Sequence, residues 1–342
     1  MIDLSSDTAT RPTAEMRRFM AKAPVGDEQL REDPTVNELQ DLVAELTGKE
    51  AALFLPSGTM CNGIAFSVLA RRGEAVILDR DSHPNRYEAG GPAWLASVML
   101  RPVEGPRGVF TAEQIRPLLH PGSPHTSRTS LISVENTTNG GGGKVWPLEG
   151  LVELRALADE HGMKVHMDGA RLMNAVVASG QPAAAFAAHV DSVWIDLSKG
   201  LGAPVGAVLA GSAAFIEEAR LLKHLFGGAM RQAGIIAAAG VYAFRHHVDR
   251  LAEDHANARV LAEGLATIPG VRLERGPVET NIVFFDVGEA GLTAGDLDQR
   301  VAEHGVRFGA RGSTTLLRAV THLDVSREGC ERAVEAVRAA CA

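Results

Sequence analysis

Between residues 30 and 240, short apolar runs alternate with helical stretches, and this alternation narrows the fold to an α/β sheet. The runs are AVILD (75–79), SLISVEN (130–136), MKVHMD (163–168), VDSVWID (190–196) and VGAVLAG (205–211). Short apolar strands between helices belong in a parallel or mixed sheet buried on both faces. The helical stretches carry their own boundaries. In EDPTVNELQDLVAELTG, Asp33 is the N-cap, Pro34 takes the first helical position, and Val36, Leu39, Val43 and Leu46 recur at helical spacing before Gly48. The stretch LEGLVELRALADEHG (148–162) closes at Gly162 and leads into MKVHMDGA. In such sheets ligands bind beyond the carboxyl ends of the strands, which is where Glu135, Asp168 and Lys199 fall.

The composition shifts near residue 240. YAFRHHVDRLAEDHANARVLAEGLATIPG (242–270) reads as one long, charge-laced helix. The strand TNIVFFDV, the helix AGDLDQRVAEHG, the strand TLLRAVTHLDV and a closing helix from Ser326 follow. At about 150 residues per domain, 342 residues suggest two. The expected division is a large domain over 1–240, including the N-terminal segment 1–20, and a small α+β domain over 241–342. NGGGGKV (139–145) reads as a flexible loop.

A net charge of −8, without a basic run and with few aromatics, argues against nucleic acid as a partner. Cys61, Cys330 and Cys341 are too few and odd in number for a disulfide framework, which fits a reducing cytoplasm. The N-terminus lacks the pattern of a signal peptide. The apolar run at 234–244 is far short of the ~20 residues that span a bilayer.

Chemistry gathers at a few positions. Lys199, in VWIDLSKGLGAPVG, sits among glycines after an apolar strand. Desolvation favours its neutral amine, a Schiff-base nucleophile, although a lysine snorkelling past small residues accounts for this stretch equally well. Asp168 ends an apolar strand and calls for a cationic partner. That partner is a pyridinium nitrogen, as in pyridoxal phosphate (PLP) sites, or Arg171 in a structural salt bridge; a metal shared with His166 ranks lowest, because a third ligand at suitable spacing is missing. Gly58 and Thr59, in FLPSGTMCNGIAF, open a helix whose free N–H groups would cradle a phosphate, or mark an ordinary cap. Cys61 beside them reads as a small packed residue. His83 follows a strand, and its imidazole would lie on an aromatic cofactor or move a proton; His125 in GSPHTSRTS carries the same options, and a surface role suits either. Arg318, inside an apolar strand, calls for a buried anion such as a substrate carboxylate. No G-x-G-x-x-G follows the first strand, which argues against a dinucleotide-binding oxidoreductase.

Taken together, IDLSSDTATRPT, EDPTVNELQ, PSGTMCN, HPNRYEAGG, ENTTNGGGG, HMDGARLMNAVVASG, LSKGLGAPVGAVL, GGAMRQAGIIAAAGVYA and RAVTHLDVS resemble, in one order over nearly the whole chain, the low-specificity L-threonine aldolases. The resemblance implies the PLP-dependent fold type I, with a large domain built on a mainly parallel seven-stranded sheet and a small C-terminal domain. It implies that Lys199 carries PLP as a Schiff base, that Asp168 binds the pyridine nitrogen, that Arg171 lies near the cofactor oxygen and the substrate carboxylate, and that His83 stacks on the ring. Gly58 and Thr59 would hold the phosphate, and Ser6 and Arg318 the substrate carboxylate. Lys223 and Arg231 would reach the phosphate region of a neighbouring subunit in a homodimer or homotetramer. His125 would stand near the substrate hydroxyl, and His83 or His125 would take its proton.

The implied reaction is retro-aldol cleavage of L-threonine, L-allo-threonine or a related β-hydroxy-α-amino acid, possible β-aryl substrates such as phenylserine included, to glycine and an aldehyde. A β-eliminating lyase and a threonine transaldolase are the alternatives on the same scaffold. Departures from the family pattern fall around the substrate. Gln29–Leu30 stands where the family usually has Val-Tyr, a tyrosine that lines the pocket, so Leu30 is expected to alter the β-substituent preference. Thr138 replaces a usual histidine, and the glycines after it are an insertion.

Overall fold

The computed structural model describes residues 1–310 and 314–342. Among them, twelve strands form two sheets. In chain order the strands are β1 (Ile2–Leu4), β2 (Ala51–Leu55), β3 (Ala75–Asp79), β4 (Met99–Val103), β5 (Thr129–Glu135), β6 (Lys164–Gly169), β7 (Ser192–Asp196), β8 (Ala207–Gly211), β9 (Arg272–Glu274), β10 (Ile282–Asp286), β11 (Val306–Ala310) and β12 (Leu316–Val320).

The larger sheet has seven strands in the order β2-β8-β7-β6-β5-β3-β4. It is the mainly parallel sheet expected, with β8 the one reversed strand, antiparallel to both β7 and β2. Every residue of β3, β5, β7 and β8 is buried, as strands covered on both faces must be. One face packs against the helices Pro34–Thr47, Leu148–Glu160 and Gly234–His246, and the other against Gly58–Leu69 and Ala213–Leu225. The helix Pro34–Thr47 keeps its expected bounds: Asp33 Oδ1 accepts the N–H groups of Thr35 and Val36, and Gly48 ends it at φ 64°. No helix among the described residues is long and apolar enough to cross a membrane.

The second sheet runs β1-β11-β12-β10-β9 over a separate apolar cluster with the helices Leu251–Leu265, Ala294–Ala302 and Arg327–Cys341. Its edge strand β1 comes from the N-terminus and pairs in parallel with β11, so the segment after it crosses from one sheet towards the other. Two readings from sequence change here. The stretch 242–270 is not one helix. His247 turns aside to hydrogen-bond the Leu201 carbonyl at 2.7 Å, so one helix ends at His246 and the next begins at Leu251. The glycine run is not a free loop either. Gly141, Gly142 and Gly143 are buried, Thr280 Oγ1 donates to the Gly143 carbonyl, and Arg107 Nε donates to that of Gly141. A Cβ on Gly141 would lie 1.8 Å from the Arg107 carbonyl oxygen, so glycine is required by close packing rather than by looseness.

Candidate active site

The carboxyl ends of β2, β3, β5, β6 and β7 open on one cavity of about 430 Å³, a size that suits a small cofactor with its substrate. Lys199 follows β7. Its Nζ lies 2.7 Å from Asp196 Oδ2 and 5.6 Å from the centre of the Trp194 ring. Asp168 is the last residue but one of β6, beside Glu135 of β5, and the two are direct register partners. Asp168 is buried and accepts only neutral donors, the Ala170 N–H and the Asn62 amide. Among the described residues no cation pairs with it, so the salt bridge to Arg171 that the sequence left open does not form.

Arg171 instead meets Asp7, a residue the sequence reading did not single out. Nε and Nη2 donate to the two carboxylate oxygens at 2.7 and 2.8 Å, with both side chains buried. Burial works to raise the Asp7 carboxyl, but the guanidinium beside it holds it well below the usual carboxylate range. Nη1 is the edge of Arg171 left for a ligand, and Arg171 lines the cavity. Arg318 enters from β12, donating to Asn139 Oδ1 at 2.7 Å and to the Ser5 carbonyl at 3.1 Å. Ser6 caps the short helix that carries Asp7 and also lines the cavity.

Gly58 begins the helix after β2, with Ser57 as its cap. A Cβ on Gly58 would lie 2.2 Å from the Trp194 ring, so only glycine lets this turn approach the indole. The backbone N–H groups of Gly58 and Thr59 precede the first intrahelical bond and face an anion's natural position. His83 begins a single helical turn after β3. Its backbone N–H donates to Glu135 Oε2 at 2.8 Å, and its Nδ1 lies 2.8 Å from Glu88 Oε1. Burial and the charge of Asp168 push Glu135 up to about 7. His166 does not join Asp168 as a ligand pair: it is buried against Ser192 and Asn62, and burial takes it down to about 3.

The cavity's charges make a test of cofactor fit. Asp7, Asp196 and Glu88 each have a basic partner, in Arg171, Lys199 and His83. Among the described residues Glu135 and Asp168 have none, so a carboxylate is left unpaired at the floor. Thr137 Oγ1 is buried there without a hydrogen-bond partner. A flat ring with a protonated nitrogen, a polar substituent and an anionic tail matches Asp168, Thr137 and the Gly58 turn in turn. PLP has those groups, and Lys199 lines the same cavity.

Four expected site residues lie outside this cavity. His125 is exposed, in the loop before β5, at the opposite end of that strand from Glu135, so its own chain cannot bring it to the substrate. Leu30 is exposed in a short turn and lines no part of the cavity. Lys223 is buried within this chain, paired with Glu28, and donates to the Phe54 carbonyl at 2.8 Å. Arg231 is on the surface, 2.8 Å from Asp27. The sequence reading in turn passed over Asp7, Glu88, Asp196, Asn62 and Thr137. Glu135 was visible as a strand end, and Glu88 and Asp7 lay inside the quoted motifs HPNRYEAGG and IDLSSDTATRPT.

The sequence matches the beta-eliminating lyase family over residues 3–289. It is 44% identical over 329 residues to the low specificity L-threonine aldolase of Escherichia coli K12, covering 96% of each chain. It is 41% identical to low-specificity L-threonine aldolase 1 of Arabidopsis thaliana, over 95% of this chain and 92% of that one. The fold matches a Leishmania major threonine aldolase with a TM-score of 0.85 over 99% of both chains, at 23% identity. At that coverage and identity, the chain belongs to the low-specificity L-threonine aldolase family.

Proposed function

We infer that this chain is a PLP-dependent aldehyde-lyase that cleaves L-threonine, L-allo-threonine or related β-hydroxy-α-amino acids to glycine and an aldehyde. The observation that carries this reading is one cavity that holds Lys199, Arg171, Arg318 and a buried Asp168 with no cation of its own among the described residues. When bound, PLP supplies an electron sink for the pair released as the Cα–Cβ bond breaks.

Lys199 would hold the cofactor covalently through its amine, and Asp168 would hold the pyridine nitrogen. The N–H groups of Gly58 and Thr59 would hold the phosphate. Arg171, pinned by Asp7, and Arg318, pinned by Asn139 and Ser5, would grip the substrate carboxylate between the two sheets, with Ser6 beside them. Holding the carboxylate fixes the rotation about the Cα–N bond, and so which Cα bond stands ready to break. His83 lies over the cavity and is the imidazole in reach of the β-hydroxyl, so it would take the hydroxyl proton. Asp196 keeps a carboxylate at Lys199 when the amine is protonated.

The exposed Leu221 and Leu225, one turn apart on the helix Ala213–Leu225, support a homodimer or homotetramer, with Arg231 open to a second copy. The free thiols of Cys61, Cys330 and Cys341 support a cytoplasmic setting. The activity is tested by incubating the purified protein and PLP with L-threonine, L-allo-threonine and L-phenylserine. Glycine and aldehyde in equal amounts, both lost in Lys199→Ala, support the aldolase. Ammonia with 2-oxobutyrate, or with phenylpyruvate from phenylserine, would instead assign β-elimination.

A further inference from the structure

We propose that Glu88 is a positioning residue that keeps the proton of neutral His83 on Nδ1 and leaves Nε2 bare, and that Asn62 sets Glu88 for this through a hydrogen-bond relay starting at Trp194. Each link has a direction that its chemistry fixes. The Trp194 indole N–H can only donate, and it lies 2.7 Å from Asn62 Oδ1. That assigns the two ends of the Asn62 amide. Its nitrogen then donates to Glu88 Oε1 at 2.7 Å and to Asp168 Oδ2 at 3.0 Å. As a carboxylate, Glu88 carries no hydrogen, so its Oε1 accepts from both neighbours. His83 Nδ1, 2.8 Å from the same oxygen, must therefore donate to it. A neutral imidazole with hydrogen on Nδ1 has its lone pair on Nε2.

The relay has little freedom to reverse. Asn62 and His166 are fully buried, and Trp194 and the Glu88 side chain are nearly so. His166 fits the assignment: with the Asn62 oxygen an acceptor, its Nε2 donates to it at 3.1 Å and its Nδ1 accepts from the Ser192 hydroxyl at 2.7 Å. All the hydrogen-bonding sites of the Asn62 amide are thus used, and a flip would set its nitrogen against the Trp194 indole N–H.

The charged groups facing the His83 ring are Glu88 on its own segment, Glu135 on β5, Asp168 on β6 and Lys199 after β7; the Tyr87 ring lies 5.6 Å away. Burial and Lys199 pull the imidazole down. The Glu88 hydrogen bond and the charges of Asp168 and Glu88 outweigh them, so His83 titrates above the ordinary imidazole value. Glu88 thus orients the base and strengthens it. What Nε2 does rests on the aldolase reading; which nitrogen carries the proton does not.

The experiment is nitrogen-15 NMR of the histidine-labelled full chain, which reads tautomer and titration without turnover, alongside the pH profile of kcat/KM with L-threonine. In the unmodified protein His83 shows the Nδ1–H tautomer. Glu88→Gln keeps the hydrogen bonds but not the charge, so the tautomer persists while the titration and the acid limb of the profile both move to lower pH. Glu88→Ala lets the Nε2–H form appear and lowers kcat on the order of tenfold or more, with KM nearly unchanged. An Nε2–H tautomer in the unmodified protein, or two variants that leave tautomer and acid limb in place, overturns the proposal. A protein that releases no glycine overturns the aldolase reading instead, whatever the tautomer.

Discussion

Asp7→Asn tests the least visible part of the site. The substitution keeps the shape of the side chain and removes its charge. In the folded chain it leaves the Arg171 guanidinium buried without a counter-ion, where two charge-assisted hydrogen bonds of 2.7 and 2.8 Å had held it. Breaking a buried pair from one side costs about 3–5 kcal/mol, because the surviving charge stays desolvated. Asparagine still offers one oxygen, so the lower half of that range applies. Unfolding entropy of about 2.1 cal/mol/K per residue gives this chain a slope near 0.7 kcal/mol/K, so the thermal midpoint falls by about 4–6 °C.

The effect has a pH signature. Arg171 holds the Asp7 carboxyl well below its unfolded value of 3.8. A depressed carboxylate contributes stability above the unfolded pKa and loses it as pH falls towards the folded one. The gap between the two proteins is therefore full at neutral pH and narrows below about pH 4. Circular dichroism melts at pH 7 and at pH 3.5 measure it, and the KM for threonine at pH 7 rises as Arg171 loses its anchor. A midpoint within 1 °C of the parent, with KM unchanged, would show that Asp7 neither stabilises nor aims Arg171.

Gly58→Ala forces a Cβ to within 2.2 Å of the Trp194 ring and pushes the turn off the indole. We expect about 1–3 kcal/mol of lost stability and weaker PLP binding in an absorbance titration, and normal binding would remove Gly58 from the phosphate site. Asn139→Ala frees Arg318 Nη1 from its 2.7 Å partner. The KM should rise several-fold with a smaller fall in kcat, whereas a pure kcat effect would place Arg318 elsewhere in the reaction. Glu135→Gln removes a carboxyl raised from 4.5 to about 7, whose burial costs the fold increasing stability as pH rises through that interval. Relative to the parent, the variant should gain stability between pH 5 and pH 8 in urea titrations, and a parallel pair of profiles would contradict the burial argument.

What the sequence made legible was local. A strand ends within two or three residues of the group it presents, so Asp168, Lys199, Gly58 and His83 could be placed on strand ends and helix starts from spacing alone. The parallel or mixed sheet followed from the same short-range pattern, while its seven strands came from the family resemblance. What stayed hidden were pairings across long separations. Arg171 finds Asp7 164 residues away, and nothing in ARLMN or SSDTAT states that the two meet. The break at His247 was invisible for the same reason, since it depends on a carbonyl at Leu201. His125 illustrates the opposite case. Its distance in sequence from ENT suggested the active site, but a seven-residue strand lies between them and carries it to the far end of the sheet. Lys223 and Arg231 were assigned to a neighbouring subunit that one chain does not contain.

The glycine run shows why composition alone misleads at a site. Four glycines in a row have the composition of a linker, yet this loop is the tie between the sheets at the cavity. Thr280 and Arg107 hold its carbonyls from outside. Asn139, at its start, accepts from Arg318 on the second sheet and gives its own N–H to Glu135 on the first. Glu135 in turn holds the backbone of His83. The N-terminal segment makes a second tie, because Asn281 donates to the Asp7 that fixes Arg171. A substrate carboxylate held by Arg171 and Arg318 would therefore be gripped by both sheets, and each grip would depend on the side chain that fixes the arginine, Asp7 or Asn139. Rigid placement of that carboxylate decides which bond at Cα breaks. On this reasoning, the choice between aldol cleavage and elimination is sensitive to Asp7 and Asn139 as well as to the groups that touch substrate.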